Sequence, residues 1–348
     1  MALQSVPIRI RRADLQTDRS DLIKLFRRCL APNYDGRRFD WLYNDGPHGR
    51  ALAWVAEDVE SGEIAGAAAG FPRKMYCRGM EIVGLVLGDF CISEQFRSLG
   101  PALQLQRACL EAAQESPFEF FYDFPSLSMM AVYKRMGFSQ NGALKRWAKP
   151  VRAERLIQRV LKSKGSTPLL AGIADFFLAQ RGWKGPKDAC RLASHQGACG
   201  EEFTVLDQQF RAQPGLKTLR TAEYLNWRYL AHPSVRHEIV TASHERALVG
   251  YVVFTGDKED PAIVDLCARK EAVAARLLAG AETLLRGRGA ASISLNAGET
   301  HPWSSLFVRA GFRQRESSPT VAYRSSKARI SEADLWRNWY LMRGERDS

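Results

Sequence analysis

No apolar run in the 348-residue sequence approaches the ~18 residues a helix needs to cross a bilayer. The opening MALQSVPIRIRR has no apolar core of the kind a secretory signal carries, so neither export nor membrane spanning is expected. The seven cysteines, from Cys29 to Cys267, stand singly, with no C-x-x-C pair and no histidine at ligand spacing. His195 between Cys190 and Cys199 is too widely spaced to count as a metal motif. These absences argue against a disulfide framework and against a zinc site, and they fit a reducing cytoplasm with no metal. With 45% hydrophobic and 25% charged residues the chain is of ordinary globular composition, long enough for two cores.

Charge of one sign is what the sequence has in excess. The net charge is +12, and it is concentrated between Lys145 and Lys164, where eight basic residues face one acid, Glu154. Leu156, Ile157, Val160 and Leu161 share one helical face there, so the segment reads as a basic amphipathic linker helix. A solvated helix is the plainest reading, and contact with an anionic surface or membrane is the sharper one.

The chain is organised around Leu85–Gln114, LVLGDFCISEQFRSLGPALQLQRACLEAAQ. Leu85, Val86, Leu87, Phe90, Cys91 and Ile92 form an apolar run that suits a strand buried on both faces. From Pro101 the apolar positions switch to helical spacing at Leu103, Leu105, Ala108, Cys109 and Ala112. Between strand and helix lies Arg97-Ser98-Leu99-Gly100-Pro101-Ala102. A glycine turn opening into a helix aims several backbone N–H groups at one point, which makes an anion site, with Arg97 as an added cation. Downstream, Phe118–Tyr122 reads as a strand and Ser126–Met136 as a helix with a serine cap and a stop at Gly137. Upstream, Ile8–Arg12, Ala51–Glu57, Ile64–Phe71, Met75–Cys77 and Glu81–Cys91 read as strands. The helix Leu22–Leu30 follows a cap at Thr17 or Asp18, and PNYDGRRFDWLYNDGPHGR reads as loop.

Arg97-x-x-Gly100-x-Ala102 resembles the acyl-CoA pyrophosphate loop of the GCN5-related N-acetyltransferase superfamily, whose form is Gln/Arg-x-x-Gly-x-Gly/Ala. Ser126 to Phe138 is similar to the superfamily's closing helix, Asn-x-x-Ala-x-x-x-Tyr-x-x-x-Gly-Phe. Tyr133, Gly137 and Phe138 match, while serine stands for asparagine at 126 and methionine for alanine at 129. The resemblance covers residues 8–148 and implies a mixed α/β (α+β mixed-sheet) fold that binds acetyl-CoA without metal. It implies pyrophosphate contacts from Arg97, Ser98, Leu99, Gly100 and Ala102, pantetheine and carbonyl contacts from Cys91 and Ile92, and a cofactor contact at Ser126. Tyr133 would be the general acid toward the thiolate. Asp89, on the central strand that carries Cys91, would be either the general base or a structural hydrogen-bonding group.

The rest of the chain reads as a diverged second copy. Trp41-x-Tyr43-x-x-x-Pro47 recurs as Trp227-x-Tyr229-x-x-x-Pro233, Gly66 as Gly250, Asp89-Phe90-Cys91 as Asp265-Leu266-Cys267, and Tyr133…Gly137-Phe138 as Phe307…Gly311-Phe312. The offset falls smoothly from 186 to 174 residues, as collinear copies with short deletions require. Only Ala268-Arg269-Lys270 separates Cys267 from the helix Glu271–Arg286, so the second copy has lost the phosphate loop and, at Phe307, the hydroxyl. The expected domains are 1–150 with the acyl-CoA loop, a linker at 151–200 carrying a helix at Leu169–Ala179, and a degenerate acyltransferase-like domain at 201–348. The run Asp334–Tyr340 is aromatic enough to pack back on a domain.

The function expected is transfer of an acyl group, acetyl in the simplest case, from acyl-CoA to a primary amine. A similarity to acetyltransferases of bacterial surface-polysaccharide synthesis implies an amino sugar or sugar nucleotide as acceptor. Two alternatives remain at this stage: a Fem-type aminoacyltransferase using aminoacyl-tRNA, and a non-catalytic CoA-binding protein. Retention of the CoA loop speaks against the first, and no nucleic-acid partner is expected.

Overall fold

Runs of apolar residues broken by short polar turns lay the first half of the chain down mainly as strands. The computed structural model describes residues 8–97, 99–114, 117–152, 190–257 and 259–346. Its first half contains β1 (Ile8–Arg12), α1 (Arg19–Cys29), α2 (Gly36–Phe39), β2 (Leu52–Asp58), β3 (Ile64–Cys77), β4 (Met80–Ile92), α3 (Leu99–Ala113), β5 (Phe118–Asp123), α4 (Leu127–Arg135) and β6 (Gly142–Pro150). The second contains β7 (Arg191–Ser194), α5 (Glu201–Arg211), β8 (Lys217–Thr218), α6 (Ala222–Leu225), β9 (His237–His244), β10 (Ala247–Thr255), β11 (Ala262–Ala268), α7 (Glu271–Gly287), β12 (Ser292–Gly298), α8 (Ser304–Arg309), β13 (Arg313–Arg324) and α9 (Glu332–Trp336). The basic run beyond Arg152 and the segment Leu169–Ala179 lie outside the described residues.

Thirteen strands form one mixed sheet in the order β1-β2-β3-β4-β5-β13-β6-β12-β11-β10-β9-β7, with β8 attached to β3. The order is a palindrome if β7 and β9–β13 are set against β1–β6. Its centre is an exchange: β6 pairs with β12 and β13, and β13 crosses to pair with β5. β4 and β5 are parallel and so are β11 and β12, as a strand–helix–strand crossover requires. Helices α3 and α4 cover one face through Leu105, Cys109, Met129 and Tyr133. The other face packs α1 through Leu22, Leu25 and Phe26, which continue into the core of the second half.

Several local expectations change in detail. β3 is one strand of fourteen residues, because Pro72 is paired to Leu85 and does not interrupt the ladder with β4. The aromatic loop after α1 is helical. Asp35 caps α2 by accepting from the Arg38 N–H at 2.9 Å, and Asp40–Asn44 continues as a wider π-type turn that buries Trp41, Leu42 and Tyr43. Asp18 precedes α1 without capping it. Its carboxylate takes the Asp14 N–H and pairs with Arg11 at 2.7 Å.

The two halves meet at a reciprocal contact. Trp41 and Trp227 stack with centroids 5.0 Å apart, and each indole N–H donates to the other's carbonyl at 2.8 Å. Lys149 of β6 adds a second tie, buried against Glu282 of α7 at 2.6 Å and donating to the Ala310 carbonyl. It is therefore not part of any exposed basic surface.

The C-terminal segment packs back, with Trp339 edge-on to Tyr122 of β5. It then enters the gap where β11 and β12 part, since their pairing stops after Ile263↔Leu295. Met342 bridges to Ala297 of β12, the Gly298 N–H donates to the Leu341 carbonyl, and Arg343–Glu345 lies against β11. Arg220 anchors this plug, donating to Asp265 at 3.0 Å, to Glu345 at 3.0 Å and to the Thr218 carbonyl at 3.1 Å. All three charged groups are buried. Arg220→Met would leave two buried carboxylates without their cation, and it should cost about 3–5 kcal/mol of unfolding free energy. Urea denaturation followed by fluorescence measures this, and a loss under 1 kcal/mol would show that the network is not holding the plug.

Candidate active site

The extended stretch that ends in Ile92 cannot stay flat. Between Ala67 and Ala69 of β3, the partner strand runs from Cys91 to Gly88, so β4 carries one extra residue. Asp89 in that bulge has φ +47, a left-handed conformation that a non-glycine residue adopts only when its surroundings hold it there. The holding groups are the hydroxyls of Tyr34 and Tyr43, which donate to the Asp89 carboxylate at 3.3 and 3.1 Å. Burial and the facing carboxylate push both tyrosines well up from their ordinary range.

β4 and β5 have separated just before this bulge. Their pairing ends at Val86↔Tyr122, and a cavity of about 960 Å³ opens between them. Of the residues expected at the site, Asp89, Cys91, Ile92, Arg97, Ala102 and Ser126 all line it. Ser126 also caps α4, accepting from the Met129 N–H at 3.2 Å. α3 begins at Leu99, two residues before the expected start, so Leu99 and Gly100 sit in its first turn, where amides have no acceptor within the helix. Gly100 is exposed, and a Cβ there would meet nothing within 4 Å. Ser98 lies outside the described residues.

Tyr133 is placed differently. Its ring is fully buried on α4 and is not part of the cavity wall. Its hydroxyl donates to Asp123 at 2.7 Å and accepts from the Gln106 amide at 3.1 Å, and those two residues do face the cavity. Asp123 ends β5 and also accepts from the Phe124 N–H at 2.6 Å. Burial drives its carboxyl up to about 6, against the lowering pull of Tyr133, of the Phe124 N–H and of Arg346. Burial and Asp123 in turn raise Tyr133 well above a free phenol. On the α1 side the thiols of Cys29 and Cys91 are hydrogen-bonded to each other, which pulls the Cys29 thiol below its ordinary range and pushes Cys91 up.

Sequence reading missed Asp123, Gln106, Tyr34 and Arg346. A signal existed only for Asp123, the polar residue that closes the apolar strand FEFFY just where a parallel strand's carboxyl end meets a ligand crevice. Among the described residues no three His, Cys, Asp or Glu converge as a metal site, and no helix is long and apolar enough to cross a membrane.

The matching cleft of the second half is occupied by protein. Gly250 repeats the environment of Gly66: a Cβ at Gly66 would meet the Cys91 carbonyl at 3.0 Å, and one at Gly250 the Cys267 carbonyl at 2.9 Å. Asp265 sits where Asp89 does, but Arg220 and Tyr251 satisfy it, and Phe307 is buried without a hydroxyl.

Comparison with solved structures decides the architecture. A probable N-acyltransferase of unknown function from Enterococcus faecalis matches with a TM-score of 0.66 at 13% identity, over 91% of this chain and 72% of that one. The fold is that of the GCN5-related N-acetyltransferases. One of these, from Anabaena variabilis, gives a TM-score of 0.64 at 13% identity over the same shares. The N-myristoyltransferase of Saccharomyces cerevisiae, solved with bound myristoyl-CoA, matches 98% of this chain and 86% of its own, with a TM-score of 0.58 at 11% identity. No protein-family model matches the sequence, and no curated protein does.

The Tyr133 hydroxyl lowers the Asp123 pKa, so Tyr133→Phe should raise it further above 6. Titrating the Asp123 carboxyl carbon by NMR in both proteins checks this. An unchanged or lower midpoint in the variant would mean that the hydrogen bond does not set the acid's strength.

Proposed function

We propose that this chain is an acyl-CoA-dependent N-acyltransferase, acetyl-CoA being the simplest donor, that acylates a primary amine through the cleft between β4 and β5. The observation that carries the reading is the contrast between the two gaps. One is filled by the chain's own Leu341–Glu345, and the other opens beside a helix N-terminus with Arg97 at its rim. An extended pantetheine arm is the right shape to pair with the parted edge of β4 at Cys91 and Ile92. The diphosphate would sit on the first-turn amides of Leu99 and Gly100, assisted by Arg97, Ser98 and the small Ala102. This reading treats the halves as tandem copies. The first is 1–150, the basic linker starts at 151, and the second begins with β7, some residues ahead of the expected boundary at 201. Seven unpaired cysteines support a reducing, cytoplasmic setting.

The chemistry asks for a base toward the amine and a proton for the departing thiolate. Asp123, facing the cavity with a pKa of about 6, is the better base: it is ionised near neutral pH yet basic enough to take the proton. Protonated, it can return that proton to the CoA thiolate. Tyr133 acts through this carboxylate as a positioning group. Asp89, held by two tyrosine hydroxyls, keeps the bulge that aims Cys91 and Ile92 at the thioester. An amino sugar or sugar nucleotide remains the proposed acceptor, reaching the cavity from the α1 side past Asn33 and Ser234.

Calorimetric titration with acetyl-CoA should show micromolar binding that Gly100→Asp abolishes, since the aspartate places negative charge where the diphosphate lies and open space spares the fold. Equal binding by both proteins would put the ligand elsewhere. Because the base must be ionised, kcat/KM should rise with pH through about 6 and then level, and Asp123→Asn should remove that limb. A limb that survives in the variant would assign the base to another residue.

A further inference from the structure

The acceptor side of the cavity is lined by two arginines from distant parts of the chain, Arg38 and Arg346. Arg38 belongs to α2, and its guanidinium lies over the Tyr34 ring, 5.3 Å from the centroid. Arg346 is delivered by the plug. Met342 is bridged to Ala297, and the Arg228 guanidinium holds the carbonyls of Gly344, at 2.6 Å, and of Arg346. The chain thus leaves the second cleft and projects its next side chain into the first. The Arg346 side chain is only partly exposed, and burial pulls its pKa below the ordinary value, with Asp123 opposing that shift and Arg343 adding to it.

We propose that Arg346, with Arg38, forms a subsite for an acidic group on the acceptor, so that the amine acylated here carries a carboxylate or phosphate. This rests on the acyltransferase reading above. A guanidinium fork in a half-buried wall recognises such oxyanions bidentately, and desolvation strengthens the contact. Asp123 beside Arg346 meets the ammonium end of the same molecule. The acceptor is then oriented at both ends, its nitrogen toward the thioester and its anion toward the C-terminal segment. Arg97, just before the N-terminus of α3, stays with the cofactor.

The test is acetylation of matched amines, glycine against glycinamide and glucosamine 6-phosphate against glucosamine. Initial rates of CoA release and calorimetric binding to the CoA-loaded protein are both read, for the wild type, Arg346→Met and Arg38→Met. The acidic member of at least one pair should be favoured by about tenfold or more in kcat/KM or in affinity, and the favoured pair tells carboxylate from phosphate. Arg346→Met should erase that preference while acetyl-CoA affinity stays unchanged, and Arg38→Met should reduce it. Equal use of both members, equal slowing of both by Arg346→Met, or no response to any of the four amines in a protein that binds acetyl-CoA would each overturn the subsite. Failure to bind acetyl-CoA at all would instead overturn the acyltransferase reading beneath it.

Discussion

Parallel strands that part leave backbone N–H and C=O groups without partners in the middle of a protein, and something must pair with them. This chain meets that constraint twice. β11 and β12 part after two paired residues, and residues from Leu341 onward come back to fill the space with their own backbone. β4 and β5 part after Tyr122, and no described segment of the chain enters there; a cavity remains. Why the two gaps differ follows from what surrounds them. In the second half Arg220 and Tyr251 satisfy Asp265 from within and the helix follows the strand almost at once, so a peptide plug seals the gap. In the first half the longer link from Ile92 to α3 leaves the approach open.

The bulge at Asp89 makes the separation sharp. Its left-handed backbone costs of order 1–3 kcal/mol, and two buried tyrosine hydroxyls hold it. Those tyrosines come from the aromatic stretch after α1, whose neighbour Trp41 is locked to Trp227. The geometry of the open cleft is therefore tied, through Tyr43 and Trp41, to the contact between the halves. The exchange of β6 and β13 binds them further, because neither half of the sheet is complete with its own strands. The second half also supplies groups to the first cleft directly, Ser234 from a loop and Arg346 from the C-terminal segment.

Charge inside the cleft is governed by burial more than by pairing. Asp123 is close to a cation and receives two hydrogen bonds, yet its pKa still lies above that of a free carboxylic acid, because desolvation outweighs them. The same effect keeps Tyr133 protonated, and its hydroxyl donates to Asp123. A carboxylate that faces the cavity and a phenol that stands behind it divide the work differently from two independent acid and base groups.

What the sequence determined by itself were the features set by local spacing. The strand-to-helix switch at Arg97–Ala102, the serine cap of α4, the mixed α/β class and the recurrence of Trp41 and Asp89 at Trp227 and Asp265 all depend on neighbours along the chain or on simple repetition. The π-type turn at Asp40–Asn44 and the unbroken β3 were not legible, because packing and a long partner strand overrode the local signals of glycine and proline. Nor could spacing place Asp123 before Tyr133 in the cavity wall, since strand and helix meet there through side chains ten residues apart. The exchange of β6 with β13, the plug in the second gap and the arrival of Arg346 in the first were decided by tertiary structure alone. The β6–β13 pairing joins residues about 170 positions apart and the plug joins Met342 to Ala297, and which edge accepts which segment is settled only when the whole sheet closes.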